Sequence, residues 1–294
     1  MAKLGFVFAG QGQQFSYMGR DLVEMYPLAK EKYERASNLL GRDVLNMDLN
    51  TAQSIQIGLF VLACVLDDLL KESDIHPDVV CGLSLGEYGA LYSSGVISFE
   101  EGLKIISKRS QLMQDAFEPN TTKMAACIRT DRETIEALIS DFEVEICNVN
   151  TPTQIVIGGK SDAVDKAIGY LKEHKIRAIP LNVPTVSHMS LLKNETDVLR
   201  DYLFNFNFNK PNIGFINNIE AKLQEDHFED SLSRQISETT ELYESIRLMI
   251  EMGVKSMIEV GPKGAISKFV KEIDPSVTIY NVYDVDTLKE IQHG

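Results

Sequence analysis

Val79-Val80-Cys81-Gly82-Leu83-Ser84-Leu85-Gly86-Glu87-Tyr88 reads in three parts. Val79 to Cys81 are apolar and β-prone, a short buried strand. Gly82-Leu83-Ser84-Leu85-Gly86 fits G-x-S-x-G, and a helix is predicted from about Glu87. A serine on a sharp strand-to-helix turn is a nucleophile elbow. The glycines permit the turn and a close backbone approach, and the turn lifts the Ser84 hydroxyl clear of the sheet. The helix start then presents unpaired N–H groups, with that of Leu85 a natural oxyanion donor. Glycine and serine are common, so the five residues alone also arise by chance. The strand before them and the helix after them carry the reading.

Outward from the elbow, strands and helices alternate, which argues for an α/β fold. Leu4–Phe8 reads as a first strand, Ser54–Leu70 and Phe99–Phe117 as helices, and Met257–Val260 and Val277–Val282 as later strands. The middle has a different order. Lys123–Ile128 is a strand, Arg132–Ser140 a helix, Val144–Asn150 and Gln154–Gly159 strands around the turn Thr151-Pro152-Thr153. Ser161–His174 is a helix with Ser161 as N-cap, and Arg177–Val183 a closing strand. The order β-α-β-β-α-β is that of a ferredoxin-like unit, so 121–187 is expected as a small subdomain inserted into a larger one formed by 1–120 and 188–294.

The 294 residues suit about two units at ~150 residues per domain. Hydrophobic residues at 44% and charged residues at 24% are globular values and exclude disorder as the main state. Lys and Arg number 29 against 43 Asp and Glu, a net charge of −14. That argues against nucleic acid as a partner, which needs a basic field. An acidic partner stays open, since a basic patch can sit on an acidic protein. The longest apolar run, Ile57–Leu66, is about half a membrane span, and Met1–Gly10 reads as a strand rather than a leader. A cytoplasmic protein without a membrane partner is expected. Cys64, Cys81, Cys127 and Cys147 form no CxxC pair and read as buried free thiols. The five histidines show no zinc-binding spacing, so no metal is implied.

A serine needs a base. His188, in Val183-Pro184-Thr185-Val186-Ser187-His188, is the candidate, and follows Ser84 in the chain as in α/β hydrolases. A hydrogen-bonded structural histidine is the alternative. His174 and His293 read as solvated, and His76 and His227 sit in polar loops. No acid stands in a recognisable setting, so a dyad with His188 oriented by a backbone carbonyl is as tenable as a triad. Arg109 falls on the apolar stripe of its helix, three or four residues from Ile105, Ile106, Leu112 and Met113. It forms an internal ion pair, snorkels, or captures a substrate carboxylate in a bidentate grip. Gly10-Gln11-Gly12 after the first strand lacks the third glycine of a dinucleotide fingerprint. It is either a tight turn or a further backbone donor to the same oxyanion.

Taken together these pieces resemble the malonyl-CoA:acyl carrier protein transacylases and are similar to polyketide synthase acyltransferase domains. The likeness runs through Phe6–Gly12, Gly82–Tyr88, Lys108–Gln114, Asn148–Pro152, Val183–His188, Asn217-Asn218, Ser233–Gln235 and Glu259–Pro262, in order over nearly the whole chain. It implies an α/β-hydrolase-like large subdomain with a ferredoxin-like insertion. It implies Ser84 as nucleophile, His188 as base, the N–H groups of Gln11 and Leu85 as oxyanion hole, and Arg109 as clamp for the malonyl carboxylate. Gln235 is implied as the residue whose main-chain carbonyl orients His188. The partners implied are malonyl-CoA and acyl carrier protein, with no cofactor. Alternatives on the same residues are a serine acyl hydrolase that edits carriers, a polyketide acyltransferase with another extender unit, or a non-catalytic carrier-docking module. The chain departs from the family at Leu83, where histidine is usual, and at Ile236–Tyr243, which lacks the usual proline and tryptophan.

Overall fold

A computed structural model describes residues 3–293, His293 by its backbone alone; Met1, Ala2 and Gly294 lie outside the described residues. In chain order the strands are β1 (Lys3–Phe8), β2 (Val79–Gly82), β3 (Thr122–Ile128), β4 (Val144–Thr151) and β5 (Gln154–Lys160). They continue with β6 (Arg177–Pro180), β7 (Gly214–Phe215), β8 (Thr240–Glu241), β9 (Val254–Val260) and β10 (Thr278–Val282).

The first sheet is parallel, in the order β10-β9-β1-β2-β7. Side chains alternate across a strand, and both faces of a parallel sheet are covered, so β1 and β2 at its centre are apolar and buried over nearly their whole length. Phe6, Phe8 and Val80 point into one core, with Leu62 and Leu66 of the helix Ala52–Glu72 and Ile105 and Ile106 of the helix Phe99–Asp115. Val7, Val79 and Cys81 point into the other, against Ile246 of Leu242–Glu251 and Val270 of Ala265–Ile273. The result is a three-layer α/β/α unit. The helix Ala52–Glu72 has 21 residues and is long and apolar enough to cross a membrane, twice the run expected from the sequence, because Gln56 and Asp67 are absorbed into it. It lies inside the core, with nearly all of its apolar stretch buried.

The second sheet has the order β6-β3-β5-β4-β8. The first four strands are mutually antiparallel neighbours, and the helices Arg132–Ile139 and Ser161–Glu173 cover one face. The other face, with Met124, Ala126 and Val156, packs against Val186 and Met189. β8 comes from beyond residue 188 and pairs parallel with β4, so the chain after Gln235 ties the two sheets together. The segment Ile236–Tyr243 packs without the family's proline and tryptophan: Ile236 is buried, its carbonyl accepts from His188 N at 2.7 Å, and Thr240 accepts from Asn148 at 2.6 Å.

Two local expectations need correcting. Ser161 does not cap its helix; it is the first helical residue after Lys160, and its hydroxyl donates to the Asn120 carbonyl at 2.7 Å. The closing strand ends at Pro180 rather than Val183, since proline brings no ladder N–H; after Leu181 N donates to Met124 O at 2.9 Å the chain leaves the sheet.

Glycines 82 and 86 are dictated by contact. A Cβ on Gly86 would overlap the Phe8 carbonyl, and one on Gly82 would overlap the backbone of Gly86 itself. Gly169, exposed inside Ser161–Glu173, meets nothing. Gly86→Ala is therefore expected to lower unfolding free energy by about 3 kcal/mol, the upper part of the overpacking range, because backbone cannot give way. Gly169→Ala should raise it by about 0.5–1 kcal/mol. Denaturant midpoints measure both.

Candidate active site

The carboxyl ends of β1, β2 and β9 open into one cleft of about 500 Å³, where open α/β sheets bind their ligands. Its walls include Gln11, Ser84, Arg109 and His188, and Met124 and Val156 of the second sheet close it from the other side.

Ser84 has φ 55°, the left-handed conformation of a strained elbow. Asn218 braces it on both sides: its Oδ1 accepts from Ser84 N at 2.7 Å, and its Nδ2 donates to Gly82 O at 2.7 Å. Ser84 Oγ lies 2.7 Å from His188 Nε2. His188 Nδ1 lies 2.6 Å from Gln235 O, which can only accept, so the ring proton sits on Nδ1 and the Nε2 lone pair faces the serine. Burial and the nearby Arg109 cation hold His188 down at about 3, against the Gln235 hydrogen bond, so the resting imidazole is neutral.

Arg109 is 1% exposed. Its partners are amides and a hydroxyl: Nη1 donates to Gln56 Oε1 at 2.6 Å, Nη2 to Gln235 Oε1 at 2.8 Å and toward Ser84 Oγ at 3.4 Å. Among the described residues it has no ion-pair partner, and at 1% exposure it does not snorkel; it is a buried cation beside the serine with Nε unpaired. Among the described residues, the N–H groups of Leu85 and Gln11 have no hydrogen-bond acceptor. Both stand at the end of a strand beside the serine, Leu85 as the N-cap of Gly86–Ser93. Leu83 is half-buried and lines the cleft.

The structure thus brings Ser84, His188, Arg109, Gln235, Gln11 and Leu85 to one place. His76, His174 and His227 are exposed and remote from this cleft, and the His293 side chain lies outside the described residues. Three further groups have no role assigned from the sequence, although Glu87 and Asn218 lie in stretches that carry the family likeness. Gln56 holds Arg109, Asn218 braces the elbow, and Glu87 accepts from Gln235 Nε2 at 2.6 Å and from Asn218 N at 2.8 Å. Burial pushes the Glu87 carboxyl up to about 7, while those two hydrogen bonds and Arg109 favour its charged form. Gln56 and Glu87 had a legible signal, each being the one strongly polar side chain on an apolar stretch of helix.

Because His188 is depressed in the folded protein, the native state binds fewer protons than the unfolded chain between about pH 3 and 6.5. Its contribution is present above pH 6.5 and is lost as pH falls toward 3. Between pH 7.5 and 5 the wild type should lose about 2 kcal/mol more stability than His188→Gln, which does not titrate. Denaturant unfolding at the two pH values measures the difference.

Residues 5–278 match the acyl transferase domain family. The malonyl CoA-acyl carrier protein transacylase of Haemophilus influenzae is 32% identical, the match covering 99% of both chains. The solved malonyl CoA-acyl carrier protein transacylase of Clostridium perfringens superposes with TM-score 0.94 at 36% identity, over 99% of this chain and 96% of that one. A malonyl-transacylase solved in complex with its type II PKS acyl-carrier protein superposes with TM-score 0.94 at 29% identity, over 98% of both chains. Matched by that family over nearly its whole length and by a relative 32% identical across it, the chain belongs to the acyl transferase domain family.

Proposed function

We infer that this protein transfers a malonyl group from malonyl-CoA to the thiol of acyl carrier protein, through a malonyl-serine at Ser84, in the supply of fatty acid or polyketide synthesis. The observation that carries this reading is Arg109: a buried guanidinium 3.4 Å from the Ser84 hydroxyl whose hydrogen bonds go to neutral groups. A cation left without a carboxylate partner beside a nucleophile suits an acyl group that brings its own carboxylate. The relatives named above are malonyl transacylases over the full length of the chain.

In this reading His188 Nε2 takes the Ser84 proton as Oγ attacks the thioester carbonyl. The oxyanion is held by the N–H groups of Gln11 and Leu85, one such donor being worth ~3 kcal/mol of transition-state energy. The carbon–sulfur bond breaks, and the coenzyme A thiolate leaves with the proton from His188. Malonyl-Ser84 remains, its carboxylate on Arg109. The carrier thiol then gives its proton to His188, attacks the ester, and Ser84 Oγ leaves with that proton. Gln235 O keeps His188 in the required tautomer throughout, in the place of a triad acid. Residues 1–120 with 188–294, and 121–187, serve as the two walls of the cleft. Leu83 on the cleft wall tunes which acyl group fits. A cytoplasmic location accords with CoA thioester substrates.

Brief exposure to equal malonyl-CoA and acetyl-CoA, without acceptor, should give a lasting malonyl adduct by intact-protein mass, absent in Ser84→Ala. Arg109→Ala should slow malonyl loading about 100-fold, the size of a lost charge-assisted pair, and acetyl loading far less. Equal losses with both donors would remove the clamp role. Free malonate without an adduct would make the protein a hydrolase.

A further inference from the structure

Arg109 is a buried cation whose hydrogen bonds all go to neutral groups. The nearest structural answer to its charge is Glu87, 1% exposed, on the far side of the Gln235 carboxamide. Glu87 uses both oxygens: Oε2 accepts from Gln235 Nε2 at 2.6 Å and Oε1 from Asn218 N at 2.8 Å. Gln235 in turn presents Oε1 to Arg109 at 2.8 Å, and donates from Nε2 also to Ser84 O at 2.8 Å. Its main-chain carbonyl holds His188.

The two charges decide how this amide lies. With Nε2 toward the carboxylate and Oε1 toward the guanidinium, both contacts are attractive. Turned over, a donor would face the guanidinium and an acceptor the carboxylate, both buried, and both would cost. Glu87 therefore strengthens the orientation of Gln235 that Arg109 and Ser84 O also favour, and Gln235 in turn holds both the guanidinium and the base. A carboxylate touching Arg109 directly would occupy the fork needed for substrate; one held at a single amide's remove does not.

We propose that Glu87 is the positioning carboxylate of this enzyme: acting through Gln235, it orients Arg109 for the malonyl carboxylate and steadies the carbonyl that holds His188. This rests on the roles given above to Ser84, His188 and Arg109. Glu87 touches neither His188 nor the reacting atoms, so it is no triad acid.

The test is Ser84 loading from malonyl-CoA and from acetyl-CoA, rate against concentration for each, in wild type, Glu87→Gln and Glu87→Asp. Acetyl needs the base but not the clamp. In Glu87→Gln one of the two N–H groups, Asn218 N or Gln235 Nε2, faces an amide nitrogen, and the Gln235 carboxamide loses the charged one of the three contacts that fix its orientation, keeping those to Arg109 and Ser84 O. Both donors should slow, and the malonyl-to-acetyl preference should fall at least about tenfold, the worth of one charge-assisted hydrogen bond. Glu87→Asp keeps the charge and should fall between that variant and wild type. Equal slowing of both donors, or an unchanged preference in either folded variant, would overturn the proposal. If Glu87→Gln does not fold, the preference of Glu87→Asp decides in the same way, and failure of both to fold would make Glu87 structural only. Wild-type protein that takes no malonyl group would refute the proposed function and this role with it, whereas normal wild-type loading with an unchanged preference in the variants would refute the role alone.

Discussion

The site depends on one backbone constraint, the left-handed turn at Ser84. A non-glycine residue held there costs on the order of 1–3 kcal/mol. Two things keep it there. Gly86 lets the elbow lie against the Phe8 carbonyl of β1, and Gly82 lets the chain fold back on Gly86, so the turn from β2 into the helix Gly86–Ser93 is packed on both sides. The Asn218 carboxamide then clamps the turn from both ends. Since Asn218 follows β7, the neighbour of β2 in the sheet, sheet order itself delivers the brace. Once the turn is fixed, the serine hydroxyl, the Leu85 N–H and the Glu87 side chain all have fixed directions, because they leave the same turn of backbone.

The second constraint is electrostatic. Burying a guanidinium is expensive unless it is hydrogen-bonded and balanced. A carboxylate in contact would be the ordinary remedy, and it would also fill the fork. This protein gives Arg109 two amide oxygens, from Gln56 and Gln235, and the ring face of Tyr88 with its centroid 5.5 Å away. Neutral acceptors lower the cost of the charge without cancelling it. What remains uncancelled is the attraction available to a carboxylate-bearing acyl group.

Much of this could be read from the chain alone. The elbow was legible because glycine, serine and a β-prone run occupy consecutive residues, and local contacts need only local sequence. Arg109 stood out because a charge on an apolar stripe breaks a period that is otherwise kept. The insertion was legible from element order, although the strand that ties it back, Thr240–Glu241, is two residues long and has no pattern of its own. Glu87 was not recognised as an acid of the site, because what makes it one is Gln235, 148 residues away. Gln235 itself entered through family resemblance; a main-chain carbonyl has no sequence signature. The end of β6 was overrun because Leu181 and Val183 continue an apolar pattern that Pro180 has already interrupted in the ladder.

The cation to which we assign substrate selection also lowers the proton affinity of the base. Desolvation is the larger cause of His188's low proton affinity, and Arg109 is the second. A malonyl carboxylate seated on Arg109 cancels that second cause, because its charge offsets the guanidinium at the imidazole. The imidazole is then better able to take the Ser84 proton when a dicarboxylic acyl group is bound than when a plain one is. An acetyl group leaves the cation exposed to the imidazolium that must form. With Arg109 in the proposed clamp role, selectivity would be exerted on the chemical step as well as on binding, which is where discrimination between transition states is set.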